Sequence, residues 1–202
     1  MNPIRNILFD LGGVLIDIHR MRGLRRLTAL GLHGMVGLAG EFERGVIDEA
    51  QFRDRVREAA GRDLGDRQID TAWNEIIGAV PPGHIAMLDE LKERGFRLFL
   101  LSNTNAIHYR ECERTFRAVS GGVPMSGFFE HIFLSYELGM TKPDPAIFRH
   151  VARRAAIDPG VSLFIDDDVR NTIAAAKEGF RVHRHDPAQG ALTVANVLGV
   201  TE

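Results

Sequence analysis

Cysteine occurs once in the 202 residues, at Cys112, which excludes an internal disulfide and gives no reason to invoke an oxidising compartment. No apolar run approaches the roughly 20 residues that a membrane span requires. The N-terminus lacks a charged segment followed by a long apolar core, so no secretory signal is expected. Excess positive charge is missing too: a formal net charge of −2 and a pI of about 6.5 are not the basic footprint of a nucleic-acid binder. The 8 histidines include no HExxH pair and no Cys/His cluster at zinc spacing. GxxxxGK[ST] and GxGxxG are absent, which removes support for nucleotide binding by those loops. Internal repeats and low-complexity segments are lacking as well. What remains is the expectation of a cytoplasmic protein, monomer or homodimer, that binds neither nucleic acid nor membrane. Its 45% hydrophobic and 26% charged residues are ordinary for a chain long enough to bury a sizeable core.

Apolar periodicity orders the chain. Ile7-Leu8-Phe9 reads as a buried strand, with Asp10 at its end and Gly12-Gly13 opening a loop. About 70 residues then pass without another strand signal. Helices are expected over residues 18–32, 47–60 and 66–77, and the glycine-rich residues 34–45 read as a turn or a short helix. Glu41, Arg44 and Trp73 are candidates for substrate contact there, although core packing is the better reading of Trp73. From Pro81 the pattern changes. Pro82 suits the first turn of a helix that ends at Gly95. Strands follow over residues 96–101, 131–134, 161–165 and 180–183, separated by helical segments, and a final helix covers 192–198. This alternation predicts an α/β fold with a doubly wound parallel sheet, and the strandless block after the first strand predicts an inserted small α-helical cap. The expected organisation is a core of residues 1–16 and 81–202 and a cap of residues 17–80.

The chemistry gathers at strand ends. Asp10, Ser102-Asn103 and Asp166-Asp167-Asp168 each follow a predicted strand, and Lys142 lies between a strand and a helix. In a doubly wound sheet these ends share one edge, where such folds bind ligands. Crowded carboxylates need a counter-charge. A hard divalent cation with oxygen ligands, Mg²⁺, is the simplest one. Beside it, Lys142 and the Ser102 hydroxyl would cradle a phosphoryl group, and Asp10 would be free to attack phosphorus.

These residues resemble the four motifs of the haloacid dehalogenase (HAD) superfamily of phosphotransferases. The matching strings are Phe9-Asp10-Leu11-Gly12-Gly13-Val14, Leu101-Ser102-Asn103, Lys142-Pro143, and Phe164-Ile165-Asp166-Asp167 with Asn171 beyond. Within it the sequence is similar to the bacterial subgroup that includes α-D-glucose-1-phosphate phosphatase. Further strings supporting this are Phe42-Glu43-Arg44-Gly45-Val46-Ile47 and Glu137-Leu138-Gly139-Met140-Thr141-Lys142-Pro143. The resemblance implies a HAD-like Rossmannoid core and a Mg²⁺-dependent phosphatase of a small phosphorylated metabolite, a sugar phosphate. It implies Asp10 as nucleophile and metal ligand, Asp167 as second ligand with Asp166 in support, and the Gly12 carbonyl as a further ligand. Ser102, Asn103 and Lys142 would hold the phosphoryl oxygens, Asn171 would orient the acidic loop, and the helical block would choose the substrate.

One position departs from the pattern. Most phosphatases of the superfamily carry a second Asp two residues after the nucleophile as general acid and base, and here Gly12 stands there. A positioned acid or base contributes roughly 10²–10⁴-fold. A good leaving group such as a sugar 1-phosphate would lessen the need for it. The alternative is a phosphate-binding or regulatory protein with little turnover.

Overall fold

The computed structural model describes residues 3–199. The strands are β1 (Asn6–Phe9), β2 (Arg97–Ser102), β3 (His131–Leu134), β4 (Ser162–Asp166) and β5 (Arg181–Arg184). All neighbours pair in parallel, in the order β3-β2-β1-β4-β5. From β1 the chain steps outward through β2 to β3, then returns to the other side of β1 for β4. The switch point therefore lies between β1 and β4, at the carboxyl end of the most central strand.

The inner strands are apolar on both faces because helices cover both. Ile7, Phe9, Leu98, Leu100 and Ile165 pack on one face, and Leu8, Phe99, Leu101 and Phe164 on the other. Between β1 and β2 run α1 (Arg20–Ala29), α2 (Val36–Glu43), α3 (Glu49–Ala60), α4 (Asp66–Asn74) and α5 (His84–Glu93). Then come α6 (Ala106–Val119), α7 (Ser135–Leu138), α8 (Pro145–Arg154), α9 (Val169–Lys177) and α10 (Val194–Leu198). α5, α6 and α10 supply Leu88, Phe116 and Val197 to the first face, while α8 and α9 supply Phe148 and Ala175 to the second.

The glycine-rich stretch after α1 contains a full helix, α2. Pro82 does not sit in the first turn of α5. It lies in the preceding turn, because Gly83 at φ +88° reverses the chain and places the helix start at His84.

Helices α1 to α4 surround their own apolar cluster, which includes Phe42, Phe52, Val56, Ile69 and Trp73. Phe42 and Phe52 stack with ring centres 4.4 Å apart. A capping box of Asp48 and Gln51 starts α3 and Gly61 ends it in the left-handed conformation. The two connections to the sheet run side by side: Asp17 N–H donates to Ala79 O at 2.9 Å and His19 N–H to Ile76 O at 2.8 Å. They touch so closely at Gly78 that a Cβ there would come within 2.8 Å of the Asp17 carbonyl.

Candidate active site

Asp10 follows β1 directly, and its N–H continues the ladder to Ile165 O at 2.9 Å. That bond directs the side chain to the switch point. Asp166 closes β4 next to it, wholly buried. Lys142 reaches both from the loop after α7. Its Nζ lies 2.8 Å from Asp10 Oδ1 and 2.6 Å from Asp166 Oδ2, and donates to Leu101 O at 3.0 Å. An ammonium has three donors, so this lysine is fully satisfied by the protein. Asn171, in the first turn of α9, donates to both Asp166 oxygens at 3.0 and 3.1 Å, and Asp168 N–H adds a bond of 2.8 Å.

Asp167, just beyond β4, turns its carboxylate toward the loop after β1. Gly13, at φ +81°, passes so close that a Cβ would sit 2.7 Å from Asp167 Oδ2. Gly12 has ordinary φ, and a Cβ there would meet only the Ile18 side chain, at 3.1 Å. Arg20 approaches Asp167 from the solvent side at 3.8 Å. The Asp168 side chain stays out of this cluster: it caps α9 and binds Arg170.

Ser102 ends β2, buried, and lines the cavity with Asn103 and Thr104. Asn103 is committed to its neighbour: Nδ2 donates to Lys142 O at 2.8 Å and Oδ1 accepts from Lys142 N–H at 2.9 Å. Its side chain thus fixes the lysine loop and keeps a single N–H for any ligand. The cavity has a volume of about 280 Å³ and is closed on the helical side by Ile18, Arg20, Glu43, Ile76 and Ile77. His108 lines it as well. Its Nε2 donates to Trp73 O at 3.0 Å, which leaves Nδ1 to accept from Asn105 Nδ2 at 3.1 Å.

The charges do not balance. Asp10, Asp166 and Asp167 each bring an oxygen within 4.8 Å of the others. Three carboxylates face the buried ammonium of Lys142 and, at 3.8 Å from Asp167 on the solvent side, the Arg20 guanidinium, so negative charge remains in excess. Burial pushes Asp10 up to about 7; Lys142 opposes the rise and Asp166 adds to it. Burial raises Asp167 too, with Asp166 adding and Arg20 opposing. For Lys142, burial would lower the pKa, yet Asp10 and Asp166 carry it above the ordinary value. The lysine has more negative charge than it needs and the carboxylates have too little positive charge. A hard divalent cation fits such a donor set, being bound by oxygen and supplying two charges.

The strand ends thus bring together Asp10, Asp166, Asp167, Lys142, Ser102, Asn103 and Gly12, with Asn171 behind them. Among the cap candidates, Trp73 is in the helical core, Glu41 pairs with Arg55, and Arg44 is exposed; none of the three lines the cavity. The residue that does is Glu43. Positions 41 and 43 lie about 200° apart around a helix, so only one can face the site. The string Phe42-Glu43-Arg44-Gly45 was the available signal for it. For His108 there was none.

A parallel sheet whose central strand ends in a carboxylate, opposed by two more carboxylates and a buried lysine, defines an α/β enzyme with a polar reacting centre at its switch point. The chain belongs to the haloacid dehalogenase-like hydrolase family, which it matches over residues 4–179. It is 30% identical over 198 residues to D-ribitol-5-phosphate phosphatase of Bacteroides thetaiotaomicron, covering 93% of this chain and 94% of that one. A crystal structure of a HAD family enzyme from Bacteroides thetaiotaomicron superposes with a TM-score of 0.86 at 35% identity, covering 92% of this chain and 95% of that one. A wild-type HAD family enzyme from the same organism, in complex with magnesium and inorganic phosphate, gives 0.83 at 35% identity, covering 91% and 94%. No helix among the described residues is long and apolar enough to cross a membrane.

Proposed function

We propose that the protein is a Mg²⁺-dependent phosphatase of a small phosphorylated metabolite, a sugar or polyol phosphate, working through an aspartyl-phosphate on Asp10. The observation that carries this reading is the cluster of Asp10, Asp166 and Asp167, which holds more negative than positive charge and reaches the cavity through Asp10 and Asp167. The relatives named above, a phosphatase of a polyol phosphate and an enzyme holding magnesium and phosphate, support it.

Mg²⁺ would be held by Asp10, Asp167 and the Gly12 carbonyl with Asp166 in support, and would offset the charge of carboxylates and phosphoryl oxygens alike. The residues do the rest. Lys142 favours the ionised form of Asp10 and orients it, because its ammonium sits on Oδ1 while Leu101 O and Asp166 hold it from behind. Ser102 and the remaining Asn103 N–H fix the phosphoryl oxygens. Asp10 attacks phosphorus as the ester oxygen leaves opposite, and water then releases phosphate from Asp10. Residues 17–80 act as the cap that selects the substrate and keeps bulk water from the aspartyl-phosphate. The paired connections at Ile18 and Ile77 would be its hinge.

The test is phosphate release from D-ribitol 5-phosphate, glucose 1-phosphate and p-nitrophenyl phosphate, with Mg²⁺ or with EDTA. Release that needs Mg²⁺ is expected. A folded protein that turns over none of them would instead favour a phosphate-binding protein.

A further inference from the structure

We propose that Glu43, on α2, is the general acid and base of the site, doing from the helical side what an Asp at position 12 would do from the sheet. This rests on the phosphatase reading above, and the groups lining the cavity lead to it by elimination. Lys142 has every donor engaged by Asp10, Asp166 and Leu101 O. His108 has both ring nitrogens in hydrogen bonds, and burial pushes it down to about 4, so it holds no proton to give near neutrality. The Cys112 thiol is pushed up to about 12 by burial. Asp168 is occupied with the start of α9 and with Arg170. Arg20 and Arg170 do not release protons. Asp10 and Asp167 belong to the nucleophile and the cation.

Glu43 is the lining group left over. Among the described residues its carboxylate makes no hydrogen bond and no ion pair. Burial raises its pKa from the ordinary value, against the pull of Arg20 and Arg44. Its backbone is anchored to the sheet side: the Glu43 carbonyl accepts from Ser135 Oγ at 2.6 Å, at the end of β3. Two residues on, Gly45 at φ +65° lies against Tyr136 O so closely that a Cβ would stand 2.1 Å from it. Phe42, next to it, is locked by its stack on Phe52. An uncommitted carboxyl on a doubly anchored backbone is what positioned proton transfer needs.

The step balances. As Asp10 forms a bond to phosphorus and the ester P–O bond breaks, the Glu43 carboxyl gives its proton to the leaving alkoxide. The resulting carboxylate then takes a proton from the water that attacks the aspartyl-phosphate. Breakage of the Asp10–phosphorus bond frees inorganic phosphate and returns both side chains to their starting states.

The experiment compares wild type and Glu43→Gln on D-ribitol 5-phosphate and p-nitrophenyl phosphate. Folding of the variant is checked by its Mg²⁺-induced thermal shift. On the alkyl phosphate, kcat should fall by roughly 10²–10⁴-fold. With p-nitrophenyl phosphate, whose leaving group needs no proton, the pre-steady-state burst should persist while the steady-state rate falls, because water activation is lost. Adding Gly12→Asp to Glu43→Gln should restore turnover of the alkyl phosphate. A variant with raised KM and unchanged kcat on both substrates would make Glu43 a binding residue and overturn the proposal. If Glu43→Gln does not fold, Glu43→Asp takes its place; an unchanged kcat on the alkyl phosphate would then count against the proposal. Wild type without Mg²⁺-dependent turnover on either substrate would overturn the phosphatase reading itself, whatever the variant does.

Discussion

Asp10 and Lys142 hold each other in a 2.8 Å ion pair whose side chains are 11% and 1% exposed, and the same ammonium serves Asp166 at 2.6 Å. One buried cation therefore keeps two carboxylates tolerable. Lys142→Met removes it and leaves both without their buried cation, which should cost about 3–5 kcal/mol in urea unfolding. Added Mg²⁺ should recover part of the loss. Asp10→Asn should behave in the opposite way. It removes a charge that burial disfavours, so stability should hold or rise while turnover disappears. Equal destabilisation by the two variants would contradict this account of the pair.

Gly13 tests the join between the loop after β1 and the acidic loop. Its φ of +81° and its approach to Asp167 leave no place for a side chain. Gly13→Ala should cost at least about 1 kcal/mol and should raise the Mg²⁺ concentration needed for half-maximal thermal stabilisation. A variant with unchanged Mg²⁺ response would show that Asp167 is not held against this glycine for the cation.

Gly12 is the milder case. A Cβ there meets only Ile18 at 3.1 Å, which a small side-chain shift relieves. Gly12→Asp in the otherwise wild-type protein should fold with a stability change within about 1 kcal/mol. If proton transfer limits the rate, alkyl phosphates should gain more than p-nitrophenyl phosphate. An equal change for both would show that proton transfer to the leaving group is not limiting.

His108 links stability to pH. Burial holds its pKa at about 4 in the folded protein against an ordinary 6.5. Between these values the unfolded chain binds more protons, so stability is complete above about pH 6.5 and declines as the pH falls toward 4. The loss should be on the order of 2–3 kcal/mol. Urea unfolding of wild type and His108→Gln across this range checks it: the stability difference between them should shrink as the pH drops. A difference independent of pH would mean that His108 titrates normally.

The strands that carry the site were legible because β1, β2 and β4 each hold a short apolar run bounded by turn residues, and the chemistry follows those runs directly. Asp10, Ser102, Asp166 and Asp167 could be read as strand ends, and a parallel sheet then requires that they meet. The links between them were less visible. Asn103 holds the Lys142 backbone across 39 residues of sequence, and no local pattern encodes such a pairing. The helical side was harder still. Along α2 polarity does not separate the faces: Glu41 and Glu43 are alike in sequence, and only the stacking of Phe42 on Phe52 decides which faces the cavity. Trp73 and His108 stack with ring centres 4.9 Å apart, joining α4 to α6 through partners that periodicity places in separate units.

The most direct test is release of inorganic phosphate from D-ribitol 5-phosphate by wild type and Asp10→Asn, each with Mg²⁺ and with EDTA. Wild type should release phosphate only with Mg²⁺, and Asp10→Asn should lose turnover by a factor on the order of 10⁴ or more in either condition. Asp10→Asn that keeps wild-type turnover, or wild type indifferent to EDTA, would contradict a Mg²⁺-dependent aspartyl-phosphate mechanism at this site.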